Sequence, residues 1–355
     1  MRVTVVPANQ LSPEHATAWS AMQRGDLDSP FLHVGFTQAV AAVRDVEVAI
    51  VEQDGAPAAF LPFERRGAGA GQPVGQRVSD FQGLVCRPDF RPNWSQLLSA
   101  CRLSSWHFDH LLAAQAEQSA DVWAMHESPY IDVRGDLDTY LAERLAAGGG
   151  DTAQAVNKRR RAERKLGPAR FEWHTRDRGV LASMIEWKTR HYEAMQVPNP
   201  LSWSWTLALL DRFLEAPDEA EFGGLMSALY FGDRLAAVHL GLRARHVVHW
   251  WFTTYDAELA KYSPGAQMLL ELVRTGPEHG ITRIDLGKGQ EAYKRAFMTG
   301  STQVAEGCIA ARSSAAAVHR MWHRTKRWVK ESALHRPARS SWRMLCRVRD
   351  QILSH

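Results

Sequence analysis

The sharpest chemical pattern in the chain runs from Tyr255-Asp256 to Leu270. A stretch rich in aromatic and β-branched residues leads into Tyr262-Ser263-Pro264-Gly265-Ala266-Gln267, and an apolar helix begins there. Ser263 reads as an N-cap and Pro264 as the first helical residue, where its missing N–H costs nothing. Gly265 and Ala266 carry almost no side chain, so an anion can approach the free N–H groups of the first turn with the helix dipole behind them. A pyrophosphate suits such a turn. Ser-Pro-Gly also spells an ordinary strand-to-helix turn, so the surrounding order has to decide between the two.

Other candidates flank this turn. His239, in Val238-His239-Leu240, alternates away from its apolar neighbours onto a face with Ala237 and Gly241. It reads either as a base titrating near neutral pH or as a hydrogen-bonded core histidine. Asp256 would need a raised pKa to act as a base and otherwise serves as a turn or capping residue. Tyr255 and Tyr293 are candidate acids or packing groups. Lys294 suits a phosphate or an acidic acceptor, or is simply solvated. Asp285, Lys288 and Glu291 flank Gly287-Lys288-Gly289 within reach of an acceptor. Trp250, one of 13 tryptophans, can stack on a sugar or pack in a core.

Bulk properties bound the reading. A chain of 355 residues, 45% hydrophobic and 23% charged, has room for about two ordinary domains. No opening apolar run suits a signal peptide and no segment approaches a membrane span, so a cytoplasmic location is expected. Cys86, Cys101, Cys308 and Cys346 lack metal or disulfide spacing and are expected as buried free thiols, with no metal. The net charge of +4 is unevenly spread: residues 312–355 carry +9 and the rest −5. In that tail Trp322, Trp328 and Trp342 interleave with Arg and Lys, a pattern for an anionic membrane surface, a partner or a regulatory ligand. The basic run from Lys158 to Lys165 wraps around its helix without stacking aromatics. It is expected as a solvated linker helix touching at most an anionic acceptor, with no nucleic-acid partner.

The elements that would position these groups are clearer in the second half. Helices are expected over Val180–Met195 and Ser204–Leu214, then an antiparallel meander of Leu225–Phe231, Leu235–Arg243 and Val247–Asp256. Helix Pro264–Arg274, strand Thr282–Leu286 and helix Glu291–Phe297 follow. The first half reads as mixed α/β, with a hairpin around Asp54-Gly55, strands at Ser105–Leu112 and Tyr130–Val133, and a helix from Asp136 to Ala147. Asp151 is expected to cap the basic helix that ends at Leu166.

In this order the words AAVHLGLR (236–243), WWFTTYD (250–256), YSPGAQMLLE (262–271) and RIDLGKGQEAYKRAF (283–297) resemble the CelD/BcsL-like acetyltransferase family. SPFL (29–32), PFERR (62–66) and SDFQG (79–83) are similar to the same family, and the likeness covers roughly residues 25 to 310. That family is GNAT-like and related to FemAB-type aminoacyltransferases, which carry two GNAT-like halves. The resemblance implies an α/β fold of two GNAT-like domains in tandem: 1–140, a basic linker 141–168, a coenzyme-binding domain 169–311, and the helical tail 312–355. It further implies acetyl-CoA as co-substrate and a polysaccharide or lipid-linked sugar precursor as acceptor, at the inner face of the cytoplasmic membrane. A backbone N–H within Thr253, Thr254 and Tyr255 would polarise the thioester carbonyl, and Tyr293 stands where many GNAT enzymes keep an acid. Asp285, Glu291 and Lys294 join the site by resemblance, and Asp80 and Gln82 would face the cleft between the halves. The glycine-rich coenzyme loop of the superfamily is shortened here to Ser-Pro-Gly-Ala. The rivals implied are a FemAB-type transferase using aminoacyl-tRNA and a non-catalytic scaffold.

Overall fold

A computed structural model describes residues 2–116, 121–133, 135–217 and 220–311; the tail and everything expected of it lie outside these. Strands β1 (Arg2–Pro7), β2 (Glu47–Gln53), β3 (Ala56–Arg66), β4 (Ala70–Gln72), β5 (Val85–Cys86), β6 (Ser105–Leu112) and β7 (Asp121–Asp132) come from the first half. The second half adds β8 (Ala169–Glu172), β9 (Phe222–Phe231), β10 (Arg234–Ala244), β11 (Val247–Tyr255), β12 (Arg283–Asp285) and β13 (Gly300–Ala310). Helices α1 (Pro13–Met22), α2 (Val34–Ala41), α3 (Trp94–Ala100), α4 (Ala113–Ala116) and α5 (Leu137–Ala146) precede the basic helix α6 (Gly150–Leu166). After it come α7 (Arg178–Met195), α8 (Ser204–Glu215), α9 (Pro264–Thr275) and α10 (Ala292–Phe297).

The strands form one mixed sheet in the order β1-β2-β3-β4-β6-β13-β7-β12-β11-β10-β9-β8, with β5 paired to β3. The meander β9-β10-β11 is antiparallel, as its short turns require, and β12 joins β11 in parallel through the crossover helix α9. Two strands depart from the sequence expectation. β7 runs for 12 residues rather than a few around Tyr130. β13, which no sequence signal marked, inserts between β6 and β7 of the first half. Its chain position is in the second half, but its hydrogen bonds are with the first.

The apolar core is shared in the same way. One cluster joins Phe31, Phe36, Val78 and Phe81 to Leu209, Phe213 and Phe252, so the two halves exclude water jointly. A second lies under α9, where Met268, Leu269 and Leu272 are buried beside Val248 and Trp250. Each such side chain contributes about 1.5–3 kcal/mol when fully buried.

The basic helix is not the solvated linker its composition suggests. Thr152, Ala155 and Ala162 are buried along one face, small enough to let α6 lie close to its neighbours. Arg159 pairs with Glu163 and with the buried carboxylate of Glu271 on α9. Nor does Asp151 cap it: the cap is Gly149, whose position is held by a 2.7 Å hydrogen bond to the Arg144 carbonyl.

Candidate functional site

Strand β12 pairs with β11 at only three positions, Val247–Arg283, Val248–Ile284 and His249–Asp285. β11 continues alongside β10 to Tyr255, while the chain after Asp285 turns to β7, Leu286 N–H donating to Pro129 O at 2.8 Å. A slot therefore opens beside residues 250–255 of β11. Gly287 makes the departure possible. Its φ is +72°, and a Cβ there would stand 2.9 Å from Asp80 Oδ2 and 3.4 Å from His249 Nε2. Only glycine lets the turn pass this close to the pair.

Lys188, on α7, donates from Nζ to Thr253 O at 3.1 Å. Thr253 thus turns its carbonyl away from β10. A strand residue's N–H points to the same side as its C=O, so the Thr253 N–H also faces the slot. Thr253 Oγ1 is buried and makes no hydrogen bond among the described residues. Burial, reinforced by the charge of Lys294, pulls the Lys188 ammonium down to about 8. Tyr192, one helical turn on, has Lys188 Nζ 5.4 Å from its ring centre.

A carboxylate–histidine cluster closes the other side. His249 Nε2 lies 2.8 Å from Asp80 Oδ2, and His110 Nε2 lies 3.6 Å from Asp80 Oδ1. His110 also meets Asp109 at 3.0 Å. His249 is wholly buried, whereas the Asp80 side chain keeps 26% of its surface. Burial opposes charge on Asp80, but the His249 hydrogen bond and the charges of His110, His249 and Lys294 outweigh it and hold the carboxyl well below the usual range. Gln82 is spent on holding this cluster in place: its amide donates to Asp109 Oδ1 at 2.7 Å and accepts from the N–H of Asp109 and His110. Among the described residues no three His, Cys, Asp or Glu side chains are placed to hold a metal ion.

At the far end of β11, the turn differs from its sequence reading. Ser263 sits at φ 54°, ψ 53°, and its side chain makes no cap hydrogen bond. The left-handed backbone turns the hydroxyl outward, where it accepts from Lys158 Nζ of α6 at 2.9 Å. Asp256 performs the capping one turn earlier, accepting from Glu258 N–H at 2.9 Å. With Pro264 lacking an N–H, the free donors of α9 are those of Gly265 and Ala266. A Cβ at Gly265 would meet only the Tyr255 ring, at 3.4 Å, so the approach to those donors is open. Gln267 is buried, its Nε2 bonded to Tyr262 O and its Oε1 without a partner among the described residues.

The remaining candidates separate by face. His249 and Trp250 are consecutive in β11 and so point to opposite sides of the sheet. On the Trp250 side, His239 stacks on the indole at 4.5 Å. Burial pushes the Tyr293 hydroxyl up, so it stays protonated. Burial likewise drives His239 down to about 3. His239 is fully buried as the core reading expects, but neither ring nitrogen has a hydrogen-bond partner among the described residues. Asp256 is bound by Arg234 at 2.5 Å besides its capping bond, which leaves no free oxygen. Asp285 is buried against Arg283 at 2.6 Å. Lys294 is occupied within the 287–291 turn, donating to Gly287 O and Lys288 O and pairing with Glu291 at 3.3 Å, rather than at the Ser263 turn. Lys288 reaches Asp109 O at 2.8 Å and ties that turn to β6.

His239 at about 3 and His33 at about 4, the latter lowered by burial and then by Arg245, set an acid dependence. Unfolded, both bind a proton below about pH 6.5; folded, neither does until far lower. The unfolded state holds more protons in that window, so stability rises with pH between about 4 and 6.5, by on the order of 1 kcal/mol per pH unit for each histidine. Tm should fall between pH 7 and pH 5. His33→Asn, which keeps the cap on Gly35 N–H, should flatten the fall. A Tm independent of pH in this range would overturn the assignment.

Sequence reasoning missed His249, His110, Lys188 and Tyr192. The only local signal is the Lys188–Tyr192 spacing of one helical turn. Asp80 and His249 are 169 residues apart and meet only through the fold.

A family model described as "Acetyltransferase (GNAT) domain" matches residues 151–295. No curated protein matches the chain in sequence. Among solved structures, FemX is similar at 10% identity and a TM-score of 0.55, over 88% of this chain and 97% of that one. The C-terminal domain of an Agrobacterium fabrum protein described as a lysylphosphatidylglycerol synthetase is similar at 12% identity and a TM-score of 0.53, over 87% and 94%. A Bacteroides thetaiotaomicron VPI-5482 protein of unknown function is similar at 12% identity and a TM-score of 0.51, over 77% and 90%. The chain is a mixed α/β protein whose residues 151–295 match a GNAT acetyltransferase domain, and it is an acyltransferase.

Proposed function

We propose that the protein transfers an acetyl group from acetyl-CoA to an amine or hydroxyl of a sugar or lipid-linked precursor in extracellular polysaccharide synthesis. In this reading it works in the cytoplasm at the membrane face. The observation that carries the proposal is the slot beside Thr253, where Lys188 sits, with the Ser263 turn at one end and Asp80 at the other. Two of the buried atoms without a partner among the described residues, Thr253 Oγ1 and Gln267 Oε1, lie along this same stretch and favour a polar ligand there. Acetyl-CoA, when bound, supplies the thioester that is the acyl donor.

The chain's own groups divide the work. The N–H groups of Gly265 and Ala266, with Lys158, suit the phosphates. Thr253 N–H is the donor available to a carbonyl oxygen in the slot. The Asp80 carboxylate, charged at any working pH, accepts a hydrogen bond from the acceptor's N–H or O–H and orients it. Lys188 Nζ, about a quarter neutral at pH 7.5 if it titrates at about 8, takes the proton. Tyr293 keeps a proton to give.

Calorimetric titration of the full chain with acetyl-CoA tests the reading. Binding is expected, with Lys158→Ala weakening it about tenfold through one lost charge-assisted contact. Absence of binding would sink it. A second reading, aminoacyl transfer from charged tRNA, is favoured by the likeness to FemX over 88% of the chain. Binding of charged tRNA without acetyl-CoA binding would select it.

A further inference from the structure

A cavity of about 1350 Å³ lies apart from the slot. It lies between the end of α1, the segment 84–94, the end of β6 and the strand ends around Tyr130, Arg283 and Thr302. That is well above the roughly 300–1,000 Å³ of a site for a drug-sized ligand. Its walls combine two chemistries. Met22, Leu84, Phe90 and Leu112 give apolar surface, and Arg24, Arg87, Arg91 and Arg283 give positive charge. No Asp or Glu is among its described lining residues.

The arginines are underused. Arg91 donates only to the carbonyls of Pro88 and Phe90. Arg87 donates from Nη2 to the neutral Gln53 Oε1 at 3.1 Å, its Nε is buried without a hydrogen bond, and its one carboxylate contact among the described residues is a loose 3.5 Å to Asp89, whose side chain is 76% exposed. Arg283 is the exception, neutralised by the buried Asp285. Three guanidinium groups on an apolar wall favour an anion that brings its own apolar body.

The cavity also sits on the right side of the chemistry. Arg283 and Val247 are register partners at the start of β11, and Tyr130 pairs with Asp285, itself the partner of His249. The Ser263 turn is at the other end of β11, about 25 Å away at roughly 3.3 Å per residue. A donor lying along the slot from Ser263 and an acceptor reaching in from the cavity past Asp80 would therefore meet between Asp80 and Thr253 without competing for space.

We infer that this cavity binds a phosphate-headed lipid, and that such a lipid carries the acceptor group. The inference rests on the acyltransfer reading for the role of the lipid, but not for its binding. The tail that follows Ala311 is a poor occupant. Ala311 is held at Ser95 and Ser104, beside the cavity residue Trp94, yet the 44 residues beyond it carry +9 and would face like charge.

The experiment titrates the full chain with water-soluble dihexanoyl phosphatidic acid below its micelle concentration, and in parallel with dihexanoyl phosphatidylcholine, inorganic phosphate and acetyl-CoA. Phosphatidic acid should bind at least tenfold more tightly than phosphatidylcholine, and inorganic phosphate should not displace it. Arg87→Ala with Arg91→Ala should cost at least tenfold in that affinity and leave acetyl-CoA binding within twofold. Ala21→Trp, on the exposed last turn of α1, should narrow the cavity and weaken the same lipid with the core untouched. No binding, equal binding of the two lipids, displacement by inorganic phosphate, or indifference to both variants overturns the inference. So does crosslinking from a photoreactive residue at position 21 to residues 312–355 of the same chain. Phosphatidic acid binding without acetyl-CoA binding leaves the lipid site standing and removes the donor reading instead.

Discussion

Asp80→Asn lowers kcat/KM by about 10²–10³-fold, or about 3–4 kcal/mol of transition-state stabilisation, while acetyl-CoA affinity stays within twofold. The carboxylate is the one partly exposed member of the Asp80–His110–His249 cluster, with 26% of its side chain open, so it is the member an acceptor can touch. An amide nearly matches its shape but loses the charge, and it cannot accept from both histidines and an acceptor at once. The Ser263 turn, proposed to hold the donor's phosphates, is about 20 Å along β11 from His249, at roughly 3.3 Å per residue, so donor binding is insulated. The loss should fall on kcat if Asp80 orients the nucleophile in the transition state. A loss confined to KM would mean that it only binds the acceptor, and an unchanged kcat/KM would remove it from the site.

Lys188→Met is expected to cost about 10²-fold or more in kcat and to erase a limb of the pH profile. Burial and the neighbouring Lys294 bring Lys188 to about 8, against an ordinary 10.5. Activity that depends on its neutral amine should climb as pH rises through about 8 and then level off. Lys188→Arg keeps a donor for Thr253 O, but a guanidinium does not deprotonate, so it should not restore the limb. Restoration by arginine would instead make Lys188 an electrostatic or structural group. Persistence of the limb in Lys188→Met would assign it to another residue. The lowered pKa also sets a stability trend of its own. The folded state holds this proton less tightly than the unfolded state, so the penalty of burying the charge fades as pH rises from about 8 towards 10.5.

The local rules held where function depends on near neighbours in the chain. Alternation and short turns located the meander β9-β10-β11, and the apolar period after Pro264 located α9. The Ser-Pro-Gly turn was likewise legible as a place where backbone donors are left free. Its wiring was not. Ser263 was expected to cap and instead offers its hydroxyl to Lys158, a residue 105 positions away. The basic helix misled for a related reason: its charge count is that of a solvated helix, but three small residues, Thr152, Ala155 and Ala162, are enough to dock it.

By itself the sequence determined that there would be a meander, a crossover helix and a glycine-broken strand end, because hydrophobic period and turn chemistry act over a few residues. It also nominated Asp80, though only by resemblance. Which groups meet was decided by the tertiary structure. β13 crosses into the first half, β12 leaves β11 after three pairs, and Asp80 comes to rest 2.8 Å from His249. These outcomes depend on strand order and on the packing of two halves into one core, and no window of the chain contains both partners. The same physics explains why His239 looked like a base in the sequence. Alternation fixed its face, but only the fold showed that this face is sealed under Trp250 and that the ring stays neutral there.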